Sequence, residues 1–425
     1  DQKWVLARGW DHTRWHSGNL PDKEALDQQF PTTPVYLERI DLHAAIVNQA
    51  ALDLAAISLD THLEGGEIHQ KNGKLTGILV DKAMDLVRSV IPPLPEEEIE
   101  GRLLFAQSQL FKVGVTSFTD ALLTQEQYDR LIRLEKAGKW KLRVFGYMPA
   151  DRLHLERWLD QEPDKEGRVR FCGVKTFADG ALGSRGAWLK EPYSDGEGTG
   201  LNLLEGTGYE ALVKRVADSP WQMMTHVIGD AASEYVTDVW VGIQDQLEAN
   251  SRWRLEHLQM LTKKVKKNLD TLTVVISIQP THATSDASWV EKRVGVERMK
   301  NIYPLKFFLD SGLPVALGTD VPVESPDPLK TLYSAVFRVP EEGRESPAIR
   351  IEEALTHAEA LHGMTFVPAY SVKAEKELGT LSEGFFSDFV VLGVNPLIIS
   401  KESPLCNIVL ETLVEGQIVF RSGID

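Results

Sequence analysis

Cysteine is scarce in this chain of 425 residues, which contains only Cys172 and Cys406. The two residues form no CxxC pair, which excludes a disulfide framework and favours a reducing compartment, so we expect a cytoplasmic protein. Long apolar runs are also missing, because none approaches the roughly 18 residues of a membrane-spanning helix. The start of the chain shows no signal-peptide pattern.

Positive charge is in deficit. Lys and Arg total 46 against 62 for Asp and Glu, which gives a net charge of −16. This acidity argues against nucleic-acid and anionic-membrane partners, both of which select basic surfaces. The P-loop, the GxSxG elbow and the HExxH motif are absent, and the glycine spacing in GALGSRG (180–186) is not that of the dinucleotide fingerprint. The remaining composition, 43% hydrophobic and 25% charged, is typical of a globular protein.

What the chain does contain is a series of short apolar runs spaced widely enough for helices between them. This spacing indicates βα units over residues 101–365 and predicts an α/β fold, a (β/α)₈ TIM-type barrel of roughly 250 residues. Seven strands can be placed where a closed barrel needs eight, and a doubly wound open sheet is the alternative. The predicted strands are 113–118, 141–148, 170–177, 221–228, 252–258, 272–279 and 313–319.

The flanking regions have different patterns. Residues 1–100 are predicted to form loops and short helices with scattered aromatic residues. Residues 366–425 contain apolar runs separated by turn residues, which predicts a small unit of three or four antiparallel strands.

Four of the predicted strands end in side chains that suit a metal site. These are Lys175, His226, His257 and Asp320. In a βα barrel the strand ends converge on one face, so residues far apart in sequence can meet there. Two imidazoles and a carboxylate favour zinc or a similar divalent ion, although each residue taken singly also suits a hydrogen-bonding or turn-forming role.

Lys175 is unusual among these four because an ammonium group cannot ligate a cation. Burial among Phe171, Val174 and Phe177 would lower its pKa and favour the neutral amine. A neutral amine can add carbon dioxide to become a carbamate, which is a carboxylate able to bridge two metal ions. The alternative is an ion pair with Asp179 or another acid.

At this point the motifs resemble those of the amidohydrolase superfamily, in particular its YtcJ-like branch, which includes N-substituted formamide deformylase. The resemblance implies a (β/α)₈ barrel with a small β-sandwich, one or two divalent ions with zinc favoured, and hydrolysis of a non-peptide amide-type C–N bond in a small molecule. Residues 1–100 would then be an insertion that lines the pocket. The motifs, in chain order, are GWDHTRW, RIDLHAAIVN, VKTFADGALGSRGAWLKEPYSD, THVIGDAAS, RLEHLQ, SIQPTHATSD and LGTDVPVESPDP.

The resemblance also implies roles for individual residues. Lys175 matches the family's bridging lysine, so it would be N6-carboxylated (carbamylated) and would ligate metal with His226, His257 and Asp320. Asp320 would also act as general base and acid. His282 would lie near the substrate or its oxyanion. Further residues lie in family motifs and are expected to contact substrate, namely Trp10, His43, Asp179 and Arg185. Leu42 replaces the Gly of the family's Asp-Gly-His segment, which leaves the role of His43 open.

The chain departs from the family because none of its 11 His residues forms a His-x-His pair. We therefore expect the pair and the eighth strand to lie on a segment that precedes Asp1. His12 and His16 have helical i, i+4 spacing, but a pocket or surface loop is the favoured interpretation. A non-catalytic or impaired binding barrel is the alternative to an enzyme, and a metal-free sugar- or phosphate-binding barrel is disfavoured by the acidic LGTDVPVE. A homodimer is a reasonable default for an enzyme of this size.

Overall fold

The structure is a computed structural model that describes residues 3–164, 166–248, 250–403, 405 and 408–423. Cys172 is a free thiol among these residues. Cys406, the other cysteine, lies outside the described residues.

The N-terminal region forms a five-stranded sheet, so the prediction of loops and short helices over residues 1–100 was wrong. The order is β1-β2-β3-β5-β4, with β1 parallel to β2 and the other neighbours antiparallel. The Asn72-Gly73 turn joins β4 to β5, and both of its residues lie in the left-handed region. An Asn-Gly pair at such a turn is a strong sequence signal for a β-hairpin, and the prediction missed it. The strands are β1 Val5–Trp10, β2 Val35–Arg39, β3 Ala44–Val47, β4 Gly66–Lys71 and β5 Lys74–Asp81.

The central sheet consists of seven parallel strands within the described part of the chain, and each overlaps a predicted strand, although the first begins four residues later than predicted. They are β6 Ser117–Asp120, β7 Arg143–Pro149, β8 Val169–Phe177, β9 Gln222–Val227, β10 Trp253–His257, β11 Val274–Ile278 and β12 Val315–Leu317. Their spatial order follows the chain order from β6 to β12 without reversal. A doubly wound sheet reverses its order at a switch point, so this topology excludes that alternative.

The C-terminal strands form a third, antiparallel sheet, as predicted for the tail. It is built from β13 Phe389–Leu392, β14 Val409–Val414 and β15 Gln417–Arg421 in that spatial order. The sheet is docked onto the first βα units, where Arg143 forms a buried ion pair with Asp388 at 2.6 Å and Thr412 Oγ1 donates to the Phe111 carbonyl at 2.7 Å.

The helices are mostly short and amphipathic, and those between the central strands pack their apolar faces onto that sheet in the largest hydrophobic core. None of the helices within the described ranges is both long and apolar enough to cross a membrane. They are α1 Glu24–Gln29, α2 Gln49–Leu54, α3 Ala83–Arg88, α4 Glu96–Lys112, α5 Gln125–Lys136, α6 Arg152–Trp158, α7 Tyr209–Ala217, α8 Asp230–Val241, α9 Lys263–Leu269, α10 Pro280–Asp286, α11 Val290–Met299, α12 Leu305–Asp310, α13 Pro328–Phe337, α14 His357–Met364 and α15 Phe366–Ser371.

Candidate metal centre

A cavity of about 1940 Å³ lies at the carboxyl ends of the central strands. Its walls come from the residues at and after the ends of β6 to β12, and from α10 and α13. The N-terminal region adds the loop after β2, residues 39–43, and the end of β5 with α3, residues 81–88. Parallel strands place their carboxyl ends at one edge, which is why residues separated widely in sequence share this cavity.

The four predicted strand-end residues all line this cavity. The His226 and His257 rings lie 4.6 Å apart, centre to centre. His257 and Asp320 belong, with His282, to a group whose donor atoms all lie within 4.8 Å of one another. The structure therefore brings the four predicted residues to one cavity. The donor atoms that converge most closely are those of His257 and Asp320, together with His282.

The backbone at two of these positions is held in the left-handed region, which non-glycine residues rarely occupy. His257 has φ 73° and Asp320 has φ 56°. Such conformations cost free energy, and they persist where the surrounding structure imposes them, often at functional sites.

The donor atoms of the three-residue group are accessible to an ion. His257 Nδ1 donates to Gln279 Oε1 at 2.7 Å, which fixes the orientation of the ring and leaves Nε2 available to bind an ion. His282 Nε2 is buried without a hydrogen-bond partner in the described chain, and it lies 3.7 Å from Asp320 Oδ2. Zinc ligands at 2.0–2.2 Å from an ion are separated by comparable distances.

The protonation states also suit a cation. Burial lowers the pKa of both His257 and His282, which favours the neutral imidazoles that bind metals. Burial opposes charge on the Asp320 carboxyl, but the combined influence of His257, His282 and Lys175 outweighs it and holds the pKa of Asp320 below its ordinary value. The site thus offers two nitrogen lone pairs and one carboxylate.

Lys175 is buried with 3% of its surface exposed, as predicted. Burial lowers its pKa to about 8, against the opposing charges of Glu256 and Asp320. Its Nζ lies 4.5 Å from the centre of the Phe177 ring and makes no hydrogen bond or ion pair with any described residue. The alternative of an ion pair with Asp179 is therefore wrong, and the lowered pKa increases the fraction of neutral amine that can react with carbon dioxide.

His226 lies next to the three-residue group but is turned towards the loop after β8. Its Nε2 is 3.4 Å from the Gly180 carbonyl oxygen and 3.6 Å from Asp179 Oδ1. Burial lowers the pKa of His226 well below its ordinary value, so the ring is neutral.

Asp179 was expected to contact substrate, but its carboxylate is fully buried and holds the backbone instead. It accepts hydrogen bonds from the amides of Trp188 at 2.9 Å, Ile228 at 3.0 Å and Gly229 at 2.7 Å. Burial raises the pKa of Asp179 to about 7, and the three amide donors oppose this rise because they favour the charged form. Through these three hydrogen bonds the carboxylate joins the loop after β8 to the loop after β9.

We expect Asp179→Ala to lower the free energy of unfolding by about 3 kcal/mol, because three buried amides would lose their acceptor. Urea unfolding measures this effect. Asp160→Ala, at an exposed position, is the control and should change stability by less than about 0.5 kcal/mol. Equal stabilities of the two variants would contradict the structural role of Asp179.

His43 does face the cavity, and a residue that sequence reasoning missed supports it. Asp81, at the end of β5, accepts from His43 Nδ1 at 2.6 Å, and the His43 ring lies 5.2 Å from that of His226. Burial lowers the pKa of His43, but Asp81 and neighbouring carboxylates outweigh burial and raise it. Leu42, with φ 63°, adopts the left-handed conformation that explains the Gly usual in the family.

Two predicted substrate contacts do not line the cavity. Trp10 donates from Nε1 to the Leu37 carbonyl at 2.8 Å, and Arg185 pairs with Asp195 at 3.0 Å. Trp10 thus joins β1 to β2 and Arg185 holds the loop after β8, so a direct contact with substrate is not supported for either.

The disfavoured metal role of His12 and His16 has no support, and His12 is buried away from the cavity instead of lining it. His12 lies between Arg39 at 3.4 Å and Arg293 at 3.3 Å, and burial together with these cations lowers its pKa to about 4. His16 is exposed.

Comparison with known proteins gives one consistent result. YtcJ of Bacillus subtilis (strain 168), an amidohydrolase by name, is 31% identical over 432 aligned positions that cover 99% of this chain and 80% of YtcJ. N-substituted formamide deformylase of Arthrobacter pascens is 25% identical, with coverage of 99% of this chain and 80% of that enzyme.

The fold is similar as well. The crystal structure of an uncharacterized metal-dependent hydrolase from Pyrococcus horikoshii OT3 matches with a TM-score of 0.74 and 27% identity, covering 93% of this chain and 78% of that one. A model of the amidohydrolase family matches residues 1–420. The resemblance predicted from the motifs is thus confirmed, and the chain belongs to the amidohydrolase family of hydrolases.

Proposed function

We propose that this protein is a metal-dependent hydrolase that cleaves a non-peptide, amide-type C–N bond in a small molecule. The observation that carries the proposal is the group formed by His257, His282 and Asp320 at the strand ends, with His282 Nε2 buried and without a partner among the described residues. Two neutral imidazoles and a carboxylate are the ligand set that zinc prefers, so the residues suit the metal that the family implies.

His257, His282 and Asp320 would hold one divalent ion, with zinc favoured. His282 was predicted to contact the oxyanion, and its place in the donor group favours a ligand role instead. Lys175, once carboxylated, and His226 lie beside this group and would contribute to a second ion. When bound, such an ion would polarise the substrate carbonyl and lower the pKa of the attacking water.

Asp320 carries the proton transfers in this proposal. Its carboxylate is ionised at neutral pH, and 37% of its side chain is exposed to the cavity, so it can accept a proton from water as the water attacks the carbonyl carbon. The same carboxyl then donates that proton to the leaving nitrogen as the C–N bond breaks. His43, held by Asp81 and lying 5.2 Å from the His226 ring, is placed to hydrogen-bond the substrate beside this group.

Family membership further supports a closed (β/α)₈ barrel that includes β6 to β12, with a β-sandwich that includes β13 to β15. Both remain proposals, as do the cytoplasmic location and the homodimer.

The test is hydrolysis that depends on metal. Purified protein should release amine from one or more members of a panel of N-substituted formamides and other N-acyl amines, measured by fluorescamine. Dialysis against a chelator should abolish the release, and added zinc should restore it. Release that is unchanged after metal removal would contradict the proposal, and no release with any amide in the zinc-loaded protein would favour the alternative of a binding barrel.

A further inference from the structure

One wall of the cavity carries more hydrogen-bond acceptors than the protein uses. This acidic wall consists of helix α10 and the segment 320–326 that follows β12, and it presents Asp286 and Glu324 to the cavity. Within the described chain, Glu324 forms no hydrogen bond or ion pair, and Asp286 accepts only from the Tyr303 hydroxyl. Of these two carboxyl groups, only Asp286 therefore has a hydrogen-bond donor, and that donor is neutral.

The electrostatic surroundings leave these carboxyls uncompensated. Burial raises the pKa of Asp286 to about 8, and the charge of Glu324 adds to that effect. Arg39 also acts on Asp286, but it is already held by Asp11 at 2.7 Å and Asp41 at 2.5 Å. A cation in this part of the cavity would pair with Glu324 and would favour the ionised form of Asp286.

A second, independent observation concerns neutral groups in the same region. Thr281 on α10 and Thr331 on the adjoining α13 line the cavity. Thr281 is 6% exposed and Thr331 is 1% exposed, yet their hydroxyl groups have no hydrogen-bond partner in the described structure. Buried polar atoms are normally satisfied, so these two hydroxyls point to a polar ligand in the cavity, and their oxygens can accept from the N–H groups of such a ligand.

We propose that the acidic wall is a subsite for a positively charged nitrogen group, an ammonium or guanidinium, that Asp286 and Glu324 bind. That this group belongs to the substrate rests on the hydrolase function proposed above, in which case the substrates are amides carrying a second, cationic nitrogen. An organic cation fits better than a metal ion, because among the described residues Asp286 and Glu324 belong to no group of three converging metal donors.

The experiment is equilibrium binding by calorimetry at pH 8, with benzylammonium as the probe and benzyl alcohol as its uncharged counterpart. Benzylammonium should bind the wild-type protein more tightly than benzyl alcohol does. Asp286→Asn combined with Glu324→Gln should weaken benzylammonium binding about tenfold or more, because hydrogen bonds to charged groups are lost. Glu342→Gln is the matched control, since Glu342 lines the same cavity but is paired with Lys330 at 2.6 Å.

Equal affinity of benzylammonium for the wild type and the double variant, or a preference for benzyl alcohol, would overturn the proposal. Glu324→Gln alone keeps the test valid if the double variant does not fold, because Glu324 is partly exposed and has no partner in the described structure. Displacement of the probe by zinc, with binding retained in the double variant, would assign the probe to the metal centre and also overturn the proposal. Binding needs neither turnover nor added metal, so its outcome is separate from that of the hydrolysis assay.

Discussion

Replacing Asp320 with Asn is expected to lower kcat for amide hydrolysis about a thousandfold, because the variant cannot transfer the proton from water to the leaving nitrogen. The substitution preserves shape, and more than a third of the side chain is exposed, so the melting temperature should change little. Amine release under saturating substrate gives kcat, and circular dichroism gives the melting temperature.

The control for this variant is Asp85→Asn, because Asp85 lines the same cavity at an exposed position and pairs with Arg88 at 3.2 Å. It should retain wild-type kcat. Full activity in Asp320→Asn would remove Asp320 from the mechanism. Metal analysis of the variant separates the two roles of Asp320, since a loss of turnover with metal retained isolates the proton transfer.

Replacing Lys175 with Ala is expected to remove at least half of the bound metal and to lower turnover by orders of magnitude. The reason is that a carbamate on the buried Nζ would supply a carboxylate ligand for metal, and Ala supplies no ligand in its place. Inductively coupled plasma mass spectrometry gives the metal content per chain. Lys330→Ala is the control, since Lys330 lines the cavity but pairs with Glu342.

Full metal retention in Lys175→Ala would count against a carbamate bridge. A direct check is available in the wild-type protein, where ¹³C-labelled bicarbonate should give a carbamate signal that is absent from the variant. A wild-type protein that shows no such signal in the presence of metal would leave Lys175 unmodified and would contradict the carbamate.

The central sheet could be predicted because each strand is a short β-branched or aromatic run followed by room for a helix. Lys175, His226, His257 and Asp320 could be selected for the same reason, since the chemistry of parallel-strand proteins collects where strands end. The N-terminal sheet was missed because its strands mix apolar and charged residues, as in VYLER (35–39), and pair in an order that does not follow the chain.

The finer roles within the site depend on contacts that no sequence pattern encodes. Asp179 and Arg185 lie in family motifs beside the site, yet one binds three backbone amides and the other pairs with Asp195. Asp81 and Asp286 acquire their positions only when separate elements pack together, the first against His43 and the second against Tyr303. Local sequence spacing does not determine such contacts between separate elements, so these pairings could not be predicted from it.

The most direct test of the metal-dependent account is the anomalous scattering of zinc in crystals grown with that ion. We predict an anomalous peak at the zinc absorption edge within about 2.0–2.2 Å of donor atoms from His257, His282 and Asp320. Zinc-loaded crystals that diffract well but show no peak among these three residues would contradict the account.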